Sequence, residues 1–321
     1  MDRLTLAAAV ILVELAALLT GTDASARDGG RRIVLAEQAR NYVVIVDADT
    51  QETVWTWDRS KSGLPKEHWD WFNCPTEVKP VYNGKCVLVV SNGGIGIIRI
   101  ADHRMVWYAA SGGGFPHSAE LLPDGNVAVA CSHSDTDAGD KLKIYVVDYD
   151  SFPAMEAVAV YPLPAGHNAV WDRRNKVLWA TAYTTLNSYT YTVKDGVPSF
   201  TLSESIPLPD GDLDPHDMFP VYGERKLWLT TPGNLYKFSP DNRSFEKVGL
   251  PEDLTHLKSI SSGPDGYPTI VLRPTEWWWS CRMPDIDGRP VYTGPSYFKI
   301  YKGRWMLDNT FSYPKRHRIK R

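Results

Sequence analysis

The amino-acid sequence predicts an all-β chain, and three observations carry that prediction. Among its 321 residues are twelve Trp and sixteen Tyr, set among many Val, Thr and Ile, the residue types that fit a pleated, half-buried surface. Twenty-four Gly and twenty-three Pro supply frequent turns, and no stretch beyond the N-terminus keeps a helical period between caps. The third observation is a repeat. His117-Ser118-Ala119-Glu120-Leu121-Leu122, the turn Pro123-Asp124-Gly125-Asn126 and Val127-Ala128-Val129-Ala130 read as a strand, a tight turn and an antiparallel return. Sister copies start at 76, 167, 216 and 255, so successive starts lie 41, 50, 49 and 39 residues apart. A period of about 40–50 residues with four strands per copy is the signature of a β-propeller, whose radial array leaves only short, protected edges.

At the N-terminus, Met1-Asp2-Arg3, a mostly apolar run over 4–19 and Ala24-Ser25-Ala26 have the charged start, apolar core and small-x-small ending of an export signal cut after Ala26. Glu14 interrupts the run, which is short for a membrane span. The expected organisation is a signal peptide over 1–26, one propeller domain over 27–313 and a basic tail over 314–321. The expected product is secreted or periplasmic, monomeric and without a membrane span. Residues 1–26 carry Arg3, Asp2, Glu14 and Asp23, so their removal moves the formal charge from −3 to −1. That balance argues against a broad nucleic-acid-binding surface.

The copies follow in order. Segments 33–37, 42–47 and 53–58 form a first set of three strands without an inner one. The aromatic stretch His68-Trp69-Asp70-Trp71-Phe72 comes next and is expected to pack on a face of the barrel. Five copies then begin at the starts given above, most with a return strand after a Gly- or Asn-containing turn. With the incomplete set they predict six four-stranded blades, the N-terminal strands closing the ring against the last blade. Five or seven blades are the alternatives, because 273–296 has room for another hairpin. Cys86 and Cys131 fall in return strands as packing residues, and Cys74 and Cys281 are a candidate bridge.

Several phrases together resemble a known family: Thr76-Glu77-Val78-Lys79-Pro80-Val81, Pro116-His117-Ser118-Ala119-Glu120, Gly166-His167 with Val170-Trp171-Asp172, His216-Asp217 with Phe219-Pro220-Val221, Leu257-Lys258-Ser259-Ile260-Ser261 and Glu276-Trp277-Trp278. It is a family of exported six-bladed propellers of unknown function, frequent in bacteria that degrade polysaccharides. The resemblance spans essentially the whole mature chain. It implies the fold and the compartment and no established activity, so the chemistry has to come from the residues.

The first strand of each propeller blade lines the central channel, so residues at one repeat position form a ring. The first position holds Thr76, His117, His167, His216 and Thr255. His117, His167 and His216 are a candidate set of ligands for a divalent ion such as Zn, Mn or Ca, with His256 one place along from the ring. The alternative is that these imidazoles are polar plugs bonded to backbone and water. Three places on, the copies carry Lys79, Glu120 and Lys258. They read either as a buried ion network or as an anion-holding group, in which Glu120, His117 or His167 serves as the catalytic proton acceptor. Glu77 and Asp217 are the other nearby carboxylates, and Glu77 with Glu120 is a candidate pair for glycoside hydrolysis.

Trp277 and Trp278 are candidate stacking surfaces for sugar rings, against the alternative of packing between blades. No nucleotide-binding fingerprint is present, so no nucleotide cofactor is expected. Two functions of different class fit these residues. One is a metal-assisted lyase or hydrolase acting on a polysaccharide or oligosaccharide at the channel mouth. The other is a non-catalytic propeller that binds a glycan, another small polar ligand or a protein there.

Overall fold

A computed structural model describes residues 30–309, 311 and 312. The expected signal peptide and basic tail lie outside the described residues. The first blade holds β1 (Arg32–Glu37), β2 (Tyr42–Asp47) and β3 (Thr53–Trp57). The second holds β4 (Pro75–Val81), β5 (Cys86–Ser91), β6 (Gly94–Arg99) and β7 (Met105–Ala110). The third is β8 (Pro116–Leu121), β9 (Val127–Cys131), β10 (Lys141–Tyr145) and β11 (Ala159–Pro162). The fourth is β12 (Asn168–Asp172), β13 (Val177–Thr181), β14 (Thr185–Lys194) and β15 (Val197–Pro207). The fifth is β16 (Asp217–Pro220), β17 (Leu227–Thr230), β18 (Leu235–Ser239) and β19 (Ser244–Val248). Two short ladders follow, β20 (Ser259–Ser261) with β21 (Ile270–Leu272) and β22 (Arg282–Pro284) with β23 (Pro290–Thr293). The last strand, β24 (Ile300–Trp305), pairs with β1 and completes the first blade from inside.

The expectation of six four-stranded blades is therefore corrected to five. Residues 259–293 form two two-stranded ladders joined by a single bridge, Ile270 to Asp285, instead of one continuous sheet. The innermost strands still close a ring, each touching the next in the order β24, β4, β8, β12, β16, β20 and back to β24. Closure also differs from the expected form: the C-terminal strand supplies the inner position that the N-terminal set lacks.

The continuous apolar runs follow from burial on both faces. In β5, Cys86, Leu88 and Val90 pack toward the third blade, while Val87 and Val89 pack toward the first. The alternation of side chains along a strand therefore becomes alternation between neighbouring blades. Phe72, from the aromatic stretch after β3, is fully buried against Trp57 and Tyr108. Cys86 and Cys131 are buried as expected, and Cys74 and Cys281 remain free thiols.

A charge network fills the channel. Arg304 and Lys302 of β24 meet Glu77 of β4 and Asp217 of β16, all with side chains wholly inaccessible. Arg304 donates to Asp217 at 2.5 and 2.6 Å and to both Glu77 oxygens at 3.1 Å. Beside them Lys79 donates to Glu120 at 2.9 Å and to the Ala169 carbonyl at 2.8 Å. Three acids and three bases are thus paired away from water. Such a network adds little net stability, but removing one partner strands a buried charge.

Burial alone would raise the carboxyls of Glu77 and Asp217. Arg304 and Lys302 outweigh it, holding Glu77 below its ordinary range and bringing Asp217 to about 2. A depressed carboxyl contributes stability that is complete above its unfolded value of about 4 and is lost as pH falls through the folded value. Glu120 is shifted upward, because burial outweighs Lys79, and contributes with the opposite sign. Arg304→Met is expected to lower the unfolding free energy by about 3–5 kcal/mol in denaturant titration; an unchanged midpoint would contradict this role. Thermal unfolding of the native chain is expected to weaken on acidification from about pH 4 toward 2.

Candidate functional site at the channel mouth

The ring residues stand where the inner strands begin. His117 occupies a register shift between Pro116 and Ser118, and Thr76 a matching one between Pro75 and Glu77. A bulge of this kind re-aims a side chain at the end of a ladder. His167 and His216 immediately precede β12 and β16. Each is set by the same local device: the residue two places earlier has positive φ although it is not glycine. These residues are Cys74 at 50°, Phe115 at 44°, Ala165 at 49° and Asp214 at 54°. His256, at 57°, stands two places before Lys258.

That recurrence, together with the ladder, corrects the register of the fifth copy. The Lys258 amide donates to the Leu272 carbonyl as the His216 amide donates to that of Thr230, and Ser259 faces Leu272 as Asp217 faces Thr230. Lys258, and not Thr255, is therefore the ring residue. His256 turns outward, its Nδ1 3.1 Å from the Thr255 hydroxyl, and does not join the mouth.

The three imidazoles do converge. Ring centroids are 4.4 Å apart for His117 and His167 and 5.2 Å apart for His167 and His216. His117 Nδ1 lies 2.6 Å from the Phe115 carbonyl and His167 Nδ1 lies 2.8 Å from that of Ala165. A carbonyl only accepts, so Nδ1 carries the proton and Nε2 keeps a bare lone pair in the neutral ring. The left-handed residue and the imidazole it orients are one unit, since the carbonyl comes from that residue.

Burial opposes charge on every imidazole. It takes His117 well below its ordinary value with help from His167, His167 to about 4, and His216 far down with help from Lys258. Burial also lowers Lys258 to about 8, against the pull of Asp214. Its Nζ lies 2.8 Å from His216 Nε2. Asp214, whose carboxyl is raised by burial, places one oxygen 3.7 Å from His216 Nε2 and the other 3.9 Å from His167 Nδ1.

A cavity of about 280 Å³ opens over His117, His167 and Lys258, walled by Phe115, Trp278, Tyr301 and Gln38. A second hollow of about 570 Å³, lined by His133, Asp140, Tyr183 and Asp214, shares His167 with it. Trp278 is half exposed and donates from Nε1 to Gln38 at 3.0 Å, while Trp277 is 83% exposed beside it. Another cavity, about 360 Å³, lies at the other end of the inner strands around Phe219, Ser261 and Trp305, without an imidazole.

Of the residues singled out from sequence, His117, His167, His216, Lys258 and Trp278 thus come together. Glu77, Lys79, Glu120 and Asp217 lie in the paired network, each 0–1% exposed, so none of them lines either mouth cavity. Asp214 and Tyr301 were missed. Asp214 had a signal in Asp214-Pro215-His216, since a residue two places before a ring histidine stays near it. Tyr301 had none until β24 was known to be an inner strand. In chelator-treated protein, nitrogen-15 spectra are expected to show His117 and His167 neutral with Nδ1 protonated from about pH 5 to 8, His167 charging only near 4; an imidazolium at pH 6 would contradict the geometry.

Among the described residues no helix is long and apolar enough to cross a membrane. In fold, the chain is similar to a protein of unknown function from Bacteroides caccae, with a TM-score of 0.56, 14% identity and coverage of 86% of this chain and 99% of that one. It is also similar to a chain of a nidogen/laminin complex, with a TM-score of 0.55, 12% identity and coverage of 87% and 99%. At such identities the likeness shows the fold alone. No curated protein matches the sequence. The profile of one family does match, over residues 24–320, and the chain belongs to it: DUF6528, a family of unknown function.

Proposed function

We propose that this β-propeller is exported and binds an acidic carbohydrate at the mouth of its channel, acting on it as a lyase. The observation that carries the reading is the placement of Lys258 and the neutral imidazoles in one cavity beside Trp278 and Tyr301. Lys258 suits a uronate carboxylate, and an aromatic wall suits the apolar face of a sugar ring. Export rests on the N-terminal sequence.

Hydrolysis by paired carboxylates is the weaker reading, because it needs two acids flanking the bond. Glu77, Glu120 and Asp217 are buried against cations, leaving Asp214 as the carboxylate beside the histidines. Elimination needs a base, a cation and a proton donor. His117 Nε2 takes the proton α to the carboxylate, and the electron pair forms the ring double bond. The bond to the leaving oxygen breaks, and that oxygen takes a proton from Tyr301, whose phenol burial keeps protonated. Lys258 neutralises the charge that builds on the carboxylate.

The test is to titrate oligouronates and neutral oligosaccharides into the protein and follow the ultraviolet absorbance of the unsaturated product. Oligouronates are expected to bind selectively, Lys258→Ala to weaken them at least tenfold, and His117→Ala to abolish product with binding retained. Equal or absent binding of acidic and neutral sugars would overturn the reading. Selective binding without product would leave the glycan-binding function and remove the catalytic one; the exposed Trp277 and Trp278 favour that outcome among the non-catalytic ones.

A further inference from the structure

We infer that His167, Asp214 and His216 form a site for a divalent transition-metal ion, in which Lys258 competes with the ion. This goes beyond the carbohydrate reading and does not depend on it. One ligand atom from each of the three residues lies within 4.8 Å of the others. The set differs from the three histidines of the ring, since a carboxylate takes the place of His117.

Four features make it a built site. His167 is held in place by the contact of its Nδ1 with the Ala165 carbonyl at 2.8 Å, a backbone contact of the kind that orients a metal-bound histidine, and its ring stands 5.2 Å from that of His216. Asp214 holds its place through the left-handed backbone that precedes His216, so the acid and the second imidazole are one rigid unit. Two nitrogens and one oxygen suit Zn²⁺ or a neighbouring first-row ion, and three protein ligands leave a position for water or substrate. A bound ion at about 2.0–2.2 Å from each ligand needs the three ligand atoms to draw closer than their present 4.8 Å limit, with Asp214 the most exposed of the three and His167 buried.

Lys258 sets the fourth feature. Its Nζ stands 2.8 Å from His216 Nε2 and uses the lone pair that an ion would take. Ammonium and metal ion therefore exclude each other at His216, by charge and by shared acceptor. In this arrangement the lysine occupies His216 without the ion and tunes affinity downward when the ion arrives.

The experiment is calorimetric titration of the untagged, chelator-treated protein with ZnCl₂, MnCl₂ and CaCl₂, without sugar. One Zn²⁺ per chain is expected, with Ca²⁺ weaker because the set lacks the oxygen ligands that Ca²⁺ takes. His216→Ala and Asp214→Asn should each weaken Zn²⁺ at least tenfold, His117→Ala should leave it within a few-fold, and Lys258→Met should strengthen it. The cobalt-loaded protein should show the intense visible bands of a four-coordinate ion, which a loosely bound surface ion does not give. Thermal unfolding of each variant separates lost ligands from lost fold: a variant that unfolds early is replaced by His167→Gln in the same comparison. Absence of stoichiometric binding, or loss that follows His117 instead of Asp214, would overturn the site. Because no sugar is present, either result leaves the carbohydrate reading to be judged on its own titration.

Discussion

Arg304 is the residue on which the rest of the structure depends. It sits on the last strand, yet its guanidinium reaches Asp217 of the fifth blade and Glu77 of the second, so one planar cation joins three blades across the axis. A propeller core lies between blades and leaves the axis itself without apolar filling. Here the axis is filled by ions, and the balance of three acids with three bases allows that filling. The same network keeps Glu77 and Asp217 ionised, so the channel is plugged below the histidines.

Above the plug, the mouth is organised by backbone more than by side-chain packing. A non-glycine residue with positive φ two places before each of five ring positions is an unfavourable conformation repeated around the axis. At His117 and His167 that conformation turns a carbonyl onto Nδ1, and at His216 it presents Asp214 beside the ring. Burial then removes the charge from the imidazoles, and His117 and His167 line the cavity in that neutral form. Neutral nitrogen bases are the form that proton transfer or metal binding uses, while Lys258 beside His216 is a cation set against a bound ion.

Much of this was legible in the sequence. The hairpin period, the missing inner strand of the first set and the two-sided apolar runs follow from local patterning. The histidine recurrence was also legible, because equivalent blade positions must share a ring. The fifth copy misled: Thr255 aligned by sequence start, whereas the ladder places Lys258 there, since register is set by hydrogen bonds to Leu272. Residues 259–293 carry too little strand to make a sixth four-stranded sheet, and counting turns does not reveal that.

Which charges face water was a tertiary decision. Glu120 and Lys258 look alike in the repeat, as single charges on inner strands. Only the packed ring shows Glu120 bound to Lys79 within the plug and Lys258 beside His216 at the opening. The sequence by itself determined an all-β repeat with converging histidines, because strand periodicity and repeat position are local properties. The number of complete blades, the strand that closes the ring and the partners of each charge were decided by the tertiary structure, because they depend on contacts between residues as far apart as Glu77 and Arg304.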